Sequence, residues 1–202
     1  MTGADDAVAA IRAGEVVVIP TDTVYGLACT PYRPEPVRRL SALKGRSLEQ
    51  PVALVAASVE WLLECVPELR ARPLVAVRAL LPGAFTLVLP NPARRFPWLT
   101  GSRPETIGVR MPDVTGAAAH VLREVGVVAA TSANLHGGAD PRRVQDVPSE
   151  IRGGVGAVVD AGELPGTPST VLDLTGDETL VLREGAVPAA TALARVAAAL
   201  AQ

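Results

Sequence analysis

The chain has 202 residues, and its 19 basic side chains nearly balance 21 acidic ones, for a net charge of −2. A chain of this length buries roughly 70% of its unfolded surface as one domain, so it needs no disulfide or metal to fold. The charge balance excludes a uniformly basic nucleic-acid binder, although a local basic face stays open. Two cysteines, Cys29 and Cys65, indicate neither a disulfide framework nor a zinc site.

Short apolar runs alternate with segments of helical periodicity, a pattern typical of an α/β fold. The predicted order is helix 4–13, strand 15–20, loop 21–33, helix 34–43, strand 51–56, helices 58–65 and 70–81, strand 84–89, loop 90–104, strand 106–110, helix 114–125, strand 127–131, loop 132–142, strands 156–160, 169–174 and 178–183, and helix 188–201. The last two strands, joined at 175–177, predict a hairpin and therefore a mixed sheet. Without a linker or repeat, residues 1–202 are expected to form a single domain.

The N-terminal segment favours a cytoplasmic protein. It is acidic and amphipathic, and it lacks the basic start and apolar centre of a secretory signal. No apolar run reaches the roughly 18 residues that a membrane-spanning helix requires. We therefore expect no membrane association.

Polar clusters directly follow several predicted strands. Thr21-Asp22-Thr23 follows the first strand, Ser132-Ala133-Asn134 follows the run VVAAT, and Arg110 ends TIGVR. Ligands of open α/β sheets gather at the carboxyl ends of strands, which makes these clusters candidate site residues. The alternative interpretation is that they form Asx-turns and helix N-caps.

Lys44 is the chain's single lysine, against 18 arginines. In such a composition a surviving lysine can mark a place where a compact ammonium is required and a planar guanidinium does not serve. Lys44-Gly45-Arg46 ends a predicted helix, so one interpretation is favourable interaction with the helix dipole. The other is an anion site for phosphate or carboxylate.

Nucleophilic and metal-based chemistry find little support. Ser132 lacks the surroundings of a GxSxG nucleophile elbow, and Cys29 has no evident base. His120 is interpreted as packed within an apolar helix and His136 as a loop residue that could approach a ligand. No cluster has metal-ligand spacing, and neither a Walker A motif nor a GxGxxG motif is present. Four further arginines are solvated charges or a basic rim for RNA: Arg103, Arg142, Arg143 and Arg152.

Seven segments, in this order, resemble one protein family. They are PTDTVYGLA (20–28), KGR (44–46), PGAFTLVL (82–89), ETIGVRMP (105–112), TSANLHG (131–137), PSTVLDLT (168–175) and REGA (183–186). The resemblance is to the threonylcarbamoyl-AMP synthases of the YrdC/Sua5 family, in their short form. It covers about residues 8–190. It implies a twisted, mixed α/β sheet with flanking helices and a concave cationic cavity, the YrdC-like fold.

The resemblance also implies an activity. Such enzymes join L-threonine, bicarbonate and ATP into threonylcarbamoyl-AMP and release pyrophosphate, for the modification of tRNA to N6-threonylcarbamoyladenosine at position 37. A separate tRNA threonylcarbamoyl transferase complex acts downstream, and tRNA, or double-stranded RNA more generally, is a candidate contact. Mg²⁺ would be held mainly by the ATP phosphates, with no protein metal site. The alternative is a YrdC-fold paralogue that binds RNA without making the adenylate.

Particular residues follow from the resemblance. The implied catalytic set is Lys44, Arg46, Ser132 and Asn134. The implied threonine contacts are Thr23, Arg110, Ser132 and Ser169. The implied ATP contacts are Lys44, Arg46, Thr106, Asn134 and Arg183. The chain departs from the family pattern in carrying Val55 at the place of a histidine and Arg142 at the place of a threonine. Because the reaction brings two anions together, the site should be cationic and poor in carboxylates.

Overall fold

The computed structural model describes residues 2–201. Its strands are β1 (Val17–Pro20), β2 (Tyr25–Cys29), β3 (Ala53–Ala56), β4 (Phe85–Pro90), β5 (Thr106–Arg110), β6 (Val127–Ser132), β7 (Ala157–Val158), β8 (Thr170–Asp173) and β9 (Leu180–Arg183). Its α-helices are α1 (Ala4–Ala13), α2 (Pro34–Lys44), α3 (Val59–Cys65), α4 (Ala71–Leu80), α5 (Gly116–Val125), α6 (Ser149–Gly153) and α7 (Ala189–Leu200). A short 3-10 helix spans Val144–Asp146. None of the helices within residues 2–201 has the length and apolar character needed to cross a bilayer.

The strands form one twisted, mixed sheet in the order β7-β1-β2-β6-β3-β5-β4-β8-β9. The pairs β1/β7, β3/β5 and β4/β8 are parallel, and the remaining neighbours are antiparallel. The predicted hairpin is present, because β8 and β9 pair antiparallel across residues 174–179. The predicted α/β fold with a mixed sheet is therefore confirmed.

Helices pack on both faces of the sheet. One apolar cluster joins the sheet to α2, α3, α4 and α7, and it includes Leu40, Leu62 and Val77. A second cluster joins the other face to α1 and α5 through Ile11, Val121 and neighbours. The second cluster reaches Val17, Ile19, Ala28, Val55, Val128, Ala130 and Ala157 of the sheet. The rest of that face, over β5, β4 and β8 toward the β9 edge, is left for the site described below.

The prediction of a continuous loop over residues 21–33 was wrong, because β2 runs through it. The segment YGLAC lacks the run of branched residues that marked the other strands, yet all five residues are buried between β1 and β6. Gly26 permits this close packing, since a Cβ there would lie 3.2 Å from the carbonyl oxygen of Thr131. Pairing on both edges therefore makes this strand, which its own residues do not favour.

The interpretation of His120 as a packed core side chain was also wrong. Its side chain is 39% exposed, and its Nε2 lies 2.8 Å from Oδ1 of Asp5, so it links α5 to α1 at the surface. Cys29 and Cys65 are both buried free thiols.

Candidate active site

A cavity of about 440 Å³ opens on one face of the sheet. Side chains alternate between the two faces of a strand, so residues two apart line the cavity together. On β5 these residues are Thr106, Gly108 and Arg110, and on β4 they are Thr86 and Val88. The intervening side chains of both strands enter the apolar core. The alternation along these two strands therefore places Thr86, Thr106 and Arg110 on the cavity wall.

The cavity wall is rich in guanidinium groups. Its arginines are Arg46, Arg103, Arg110 and Arg183. Among the described residues, the only carboxylate on the wall is Asp140. A concave surface lined by one sign of charge concentrates ligands of the opposite sign. The wall is therefore suited to carboxylate or phosphate groups, which guanidinium groups bind well.

Lys44 lies directly behind this wall, at the end of α2. Its Nζ donates hydrogen bonds to the carbonyl oxygens of Ser132 (2.8 Å) and Asn134 (2.9 Å) and to Oδ1 of Asn134. The hydroxyl oxygen of Ser132 is 3.2 Å away. Lys44 is only 5% exposed, and burial, together with the charge of Arg46, lowers its pKa from 10.5 to about 8.

The loop after β6 is fastened to α2 around this ammonium. Ser132 donates its hydroxyl hydrogen to Oδ1 of Asn134 (2.7 Å), and Nδ2 of Asn134 donates to the carbonyl oxygen of Gly138 (2.5 Å). The backbone N–H of His136 donates to the carbonyl oxygen of Lys44 (2.9 Å). Gly45, in the left-handed conformation at φ +65°, ends the helix and turns the chain toward Arg46. Lys44, Ser132 and Asn134 thus form one hydrogen-bonded unit.

Arg46 lies on the wall beside this unit. Its Nη1 donates to the hydroxyl of Thr131 (3.1 Å), and its Nη2 donates to the carbonyl oxygen of Pro51 (2.5 Å). Its Nε is buried with no hydrogen-bond partner within residues 2–201. Burial lowers the pKa of Arg46 below its ordinary value. A buried donor without a partner is costly, which makes Arg46 a candidate for a ligand contact.

Arg110 ends β5 and is held by two residues of the loop after β1. Its Nη2 donates to Oδ1 of Asp22 (2.5 Å) and to Oγ1 of Thr23 (2.6 Å). Its Nε is buried without a partner among the described residues. Burial, and to a smaller extent the charge of Arg183, lower the pKa of Arg110, while Asp22 acts in the opposite direction. Thr23 is fully buried, so it lies behind Arg110 and not on the wall.

Ser169 and Arg183 meet on the wall near Arg110. Nε and Nη2 of Arg183 donate to the carbonyl oxygen of Ser169 at 3.1 and 2.9 Å. The hydroxyl of Ser169 is 2.8 Å from the hydroxyl of Thr86. Val55, which stands where the family pattern has a histidine, also lines the cavity, and it pairs with Arg110 in the β3/β5 register.

Thr106 marks the other end of the cavity. It is four residues before Arg110 on β5, a separation of about 13 Å at the usual strand rise. Its hydroxyl donates to the carbonyl oxygen of Arg103 (3.1 Å). The guanidinium of Arg103 also lies 3.4 Å from Asp173 and 3.6 Å from Glu105. The length of β5 thus gives the cavity two ends, each with its own cations.

The candidate residues converge, although not all reach the wall. Six of them line the cavity: Arg46, Thr106, Arg110, Ser132, Ser169 and Arg183. Three lie immediately behind and bond to wall residues: Thr23, Lys44 and Asn134. No substrate contact was predicted for Asp22, Arg103 or Asp140. Arg103 was expected to be a solvated charge or part of a basic rim, and the structure places it on the cavity wall. The polar cluster after β1 pointed to Asp22, whereas nothing in the local sequence distinguishes Arg103 or Asp140.

Comparison with known proteins gives a consistent result. The Sua5/YciO/YrdC family model, described as "telomere recombination", matches residues 9–185. A protein of Mycobacterium tuberculosis, provisionally named threonylcarbamoyl-AMP synthase, is 38% identical over 92% of this chain and 85% of its own length. The threonylcarbamoyl-AMP synthase of Bacillus subtilis is 34% identical over 90% of this chain and 53% of its own length.

A solved structure agrees with these sequence matches. Sua5 of Pyrococcus abyssi in complex with L-threonine superposes with a TM-score of 0.85 and 32% identity. The match covers 93% of this chain and 55% of that one, so this chain spans about half of the Pyrococcus protein, as it does of the Bacillus relative. The family model spans most of the sequence, and the same segments build the cavity. The chain belongs to the Sua5/YciO/YrdC family.

Proposed function

We propose that this protein is an L-threonylcarbamoyladenylate synthase. Its substrates are L-threonine, bicarbonate and ATP, and its products are threonylcarbamoyl-AMP and pyrophosphate. The observation that carries the proposal is the cavity wall, with four guanidinium groups and one carboxylate, in a chain whose relatives bear this enzyme's name. The complex of the Pyrococcus structure with L-threonine supports an amino acid as one ligand.

The chemistry explains why such a wall is needed. The amine of threonine and bicarbonate give a carbamate with loss of water. A carbamate oxygen then attacks the α-phosphorus of ATP, and the bond from that phosphorus to the bridging oxygen breaks, releasing pyrophosphate. Two anions must approach each other, so their repulsion opposes the reaction. Fixed cations lower this repulsion and stabilise the charge that develops at phosphorus.

The two ends of the cavity suit the two substrates. In the proposed arrangement Arg110 and Ser169 bind threonine, Ser132 contributes a further hydroxyl, and Thr23 acts through Arg110. ATP lies along Arg46, Thr106 and Arg183. Lys44 and Asn134 act from behind the wall, by holding Ser132 and by adding positive charge near the phosphates. Holding the reacting groups in register can lower the barrier by about 7 kcal/mol in favourable cases.

Magnesium enters the proposal as part of the ATP complex. Within residues 2–201 no group of three or more His, Cys, Asp or Glu side chains could hold a metal ion. Asp140 is the only carboxylate on the described wall, and one carboxylate does not provide enough ligands to hold a resident cation. Mg²⁺ commonly retains several water ligands and binds through the phosphates of its substrate. We therefore assign its ligands mainly to the triphosphate, where the ion neutralises negative charge.

The wider setting follows from the product. Threonylcarbamoyl-AMP is an activated acyl donor, and we propose that it supplies a separate tRNA threonylcarbamoyl transferase complex in the cytoplasm. A direct contact with tRNA belongs to the same proposal. No observation favours the alternative of an RNA-binding paralogue. Of the candidate rim arginines, Arg142 and Arg143 share Glu163 as a partner, and Arg103 lies on the cavity wall.

The direct test is threonine-dependent pyrophosphate release. Purified protein should release pyrophosphate when ATP, Mg²⁺, bicarbonate and L-threonine are all present. Each of the other amino acids should be supplied in turn, because Val55 changes the wall near Arg110. Release that is no greater with threonine than without any amino acid would contradict the proposed function.

Arg110→Ala should weaken the use of threonine far more than the use of ATP. Hydrogen bonds to charged groups contribute about 1.5–3 kcal/mol, so the KM for threonine should rise about 10- to 100-fold. Steady-state kinetics with each substrate varied in turn provide the measurement. Arg143→Ala is the matched control, since Arg143 pairs with Glu163 at the surface. Equal losses for both substrates would show that Arg110 serves another role.

Binding of a non-hydrolysable ATP analogue should weaken as the pH rises through about 8. The pKa of Lys44 is lowered to about 8, so its positive charge is present below this pH and is lost above it. With Mg²⁺ in excess, the bound ion keeps the terminal phosphate of the analogue ionised across this range, so the triphosphate contributes little change of its own. Calorimetric titrations between pH 7 and 9.5 measure the effect. Lys44→Met should bind weakly with little dependence on pH, and a dependence equal to that of the parent would contradict the assignment.

A further inference from the structure

Asp22 contacts Arg110 but has no role in the arrangement proposed above. We propose that Asp22 is a positioning residue that holds the Arg110 guanidinium in the orientation needed to bind the carboxylate of the amino-acid substrate. This inference rests on the proposed function and adds a residue to it. It depends on counting the hydrogen-bond donors of Arg110.

The nitrogen Nη2 of Arg110 carries two hydrogens, and both are used within the protein. One is donated to Oδ1 of Asp22 at 2.5 Å, and the other to Oγ1 of Thr23 at 2.6 Å. Since a guanidinium group has five N–H bonds, three remain. One of these is on Nε, which is buried without a partner among the described residues, and two are on Nη1. Nη1 has no acceptor within residues 2–201, so it is the nitrogen left with two free donors for a ligand on the wall.

Thr23 is committed to the same arrangement. The hydroxyl of Thr21 donates its hydrogen to the carbonyl oxygen of Val24 at 2.7 Å. In the 3.0 Å contact between the hydroxyls of Thr21 and Thr23, Thr23 is therefore the donor. Its one hydrogen is used, and its oxygen accepts from Arg110. Thr23 is fully buried and cannot donate to a substrate, so it acts only by fixing Nη2.

Asp22 also connects the two chain segments that meet at Arg110. Its Oδ2 accepts a hydrogen bond from the backbone N–H of Asp113 at 3.1 Å, in the turn after β5. Its side chain is 10% exposed and that of Arg110 is 12% exposed, so solvent screens the pair little. One carboxylate thus fixes the loop after β1, the turn after β5 and the guanidinium between them. Ordering Arg110 before the substrate arrives reduces the entropy lost on binding.

The first experiment removes the Asp22 carboxylate and leaves Arg110 in place. Asp22→Ala should raise the KM for threonine at least 10-fold, while the KM for ATP stays within 2-fold. Asp22→Asn keeps the size of the side chain and guards against a folding defect, and it should shift the KM for threonine in the same direction. Asp113→Ala is the matched control, because only the backbone N–H of Asp113 takes part and its side chain is exposed.

The second experiment separates positioning from a purely structural role. Arg110→Ala leaves a space facing Asp22 and Thr23, and guanidinium chloride at low millimolar concentration should restore part of its threonine-dependent pyrophosphate release. The double variant Arg110→Ala/Asp22→Ala should show at least 10-fold less rescue. Equal rescue of both variants, or an unchanged KM for threonine in Asp22→Ala, would overturn the role of Asp22. A parent protein without threonine-dependent release would overturn the proposed function itself.

Discussion

Lys44→Arg should reduce threonine-dependent pyrophosphate release at least 100-fold, although the variant keeps the positive charge. The Nζ of Lys44 fits among the carbonyl oxygens of Ser132 and Asn134 and the side-chain oxygen of Asn134, with 5% of the residue exposed. A guanidinium group is planar and wider and cannot direct its donors at these oxygens. Overpacking a buried site typically costs about 1–3 kcal/mol, here at the loop that carries Ser132.

The measurement is kcat at saturating substrates, together with the thermal midpoint of unfolding. Arg38→Lys is the matched control, because Arg38 is an exposed cation on the same helix and should tolerate the exchange of one cation for another. A Lys44→Arg variant with near-normal turnover would show that the compact ammonium is not required. Such a result would contradict the inference that the chain's single lysine marks a functional site.

Gly108→Val should abolish turnover while leaving the fold intact. Gly108 lies on β5 in the floor of the cavity, and a Cβ placed there meets no atom within 4 Å. Valine is favoured in strands, so the backbone should accept it without strain. The added methyl groups enter the space between Thr106 and Arg110, where the two substrates are proposed to meet. We expect a loss of at least 100-fold in kcat/KM for both ATP and threonine.

Circular dichroism and the thermal midpoint check that the variant folds, and calorimetry with an ATP analogue checks binding. Gly176→Val is the matched control, since Gly176 also faces open space but lies in the turn between β8 and β9. Unimpaired ATP binding by a folded Gly108→Val protein would place the nucleotide outside this cavity.

The sequence predicts most of this fold because its elements carry strong local signals. Gly14 and Gly45 end α1 and α2, and alternation along β4 and β5 separates wall residues from core residues. β2 lacks such a signal, because it forms by pairing with β1 on one edge and with β6, about 100 residues away, on the other. The helix α6 was not predicted either, since five residues give too little periodicity.

The site could be predicted in part for a related reason. Residues such as Arg46 and Ser132 can be recognised as candidates from their type and their position in a motif, and the structure brings them to one cavity. The sequence does not show how far each side chain lies from the cavity surface, so it does not predict that Thr23 and Lys44 lie behind the wall. Nor does it reveal that Asp22 accepts one of the N–H bonds of Arg110, since that contact joins residues 88 positions apart.

The enclosure of Lys44 has a practical consequence for anyone handling this protein. Since the chain has no other lysine, residues 2–201 offer no exposed side-chain amine to acylating labels, cross-linkers or aldehyde fixatives. Because burial is the main cause of its lowered pKa, opening of the site returns the amine toward the ordinary pKa of 10.5, and it then reacts as any exposed lysine does. The rate at which Lys44 is acylated therefore measures how often the Ser132–Gly138 segment separates from the end of α2.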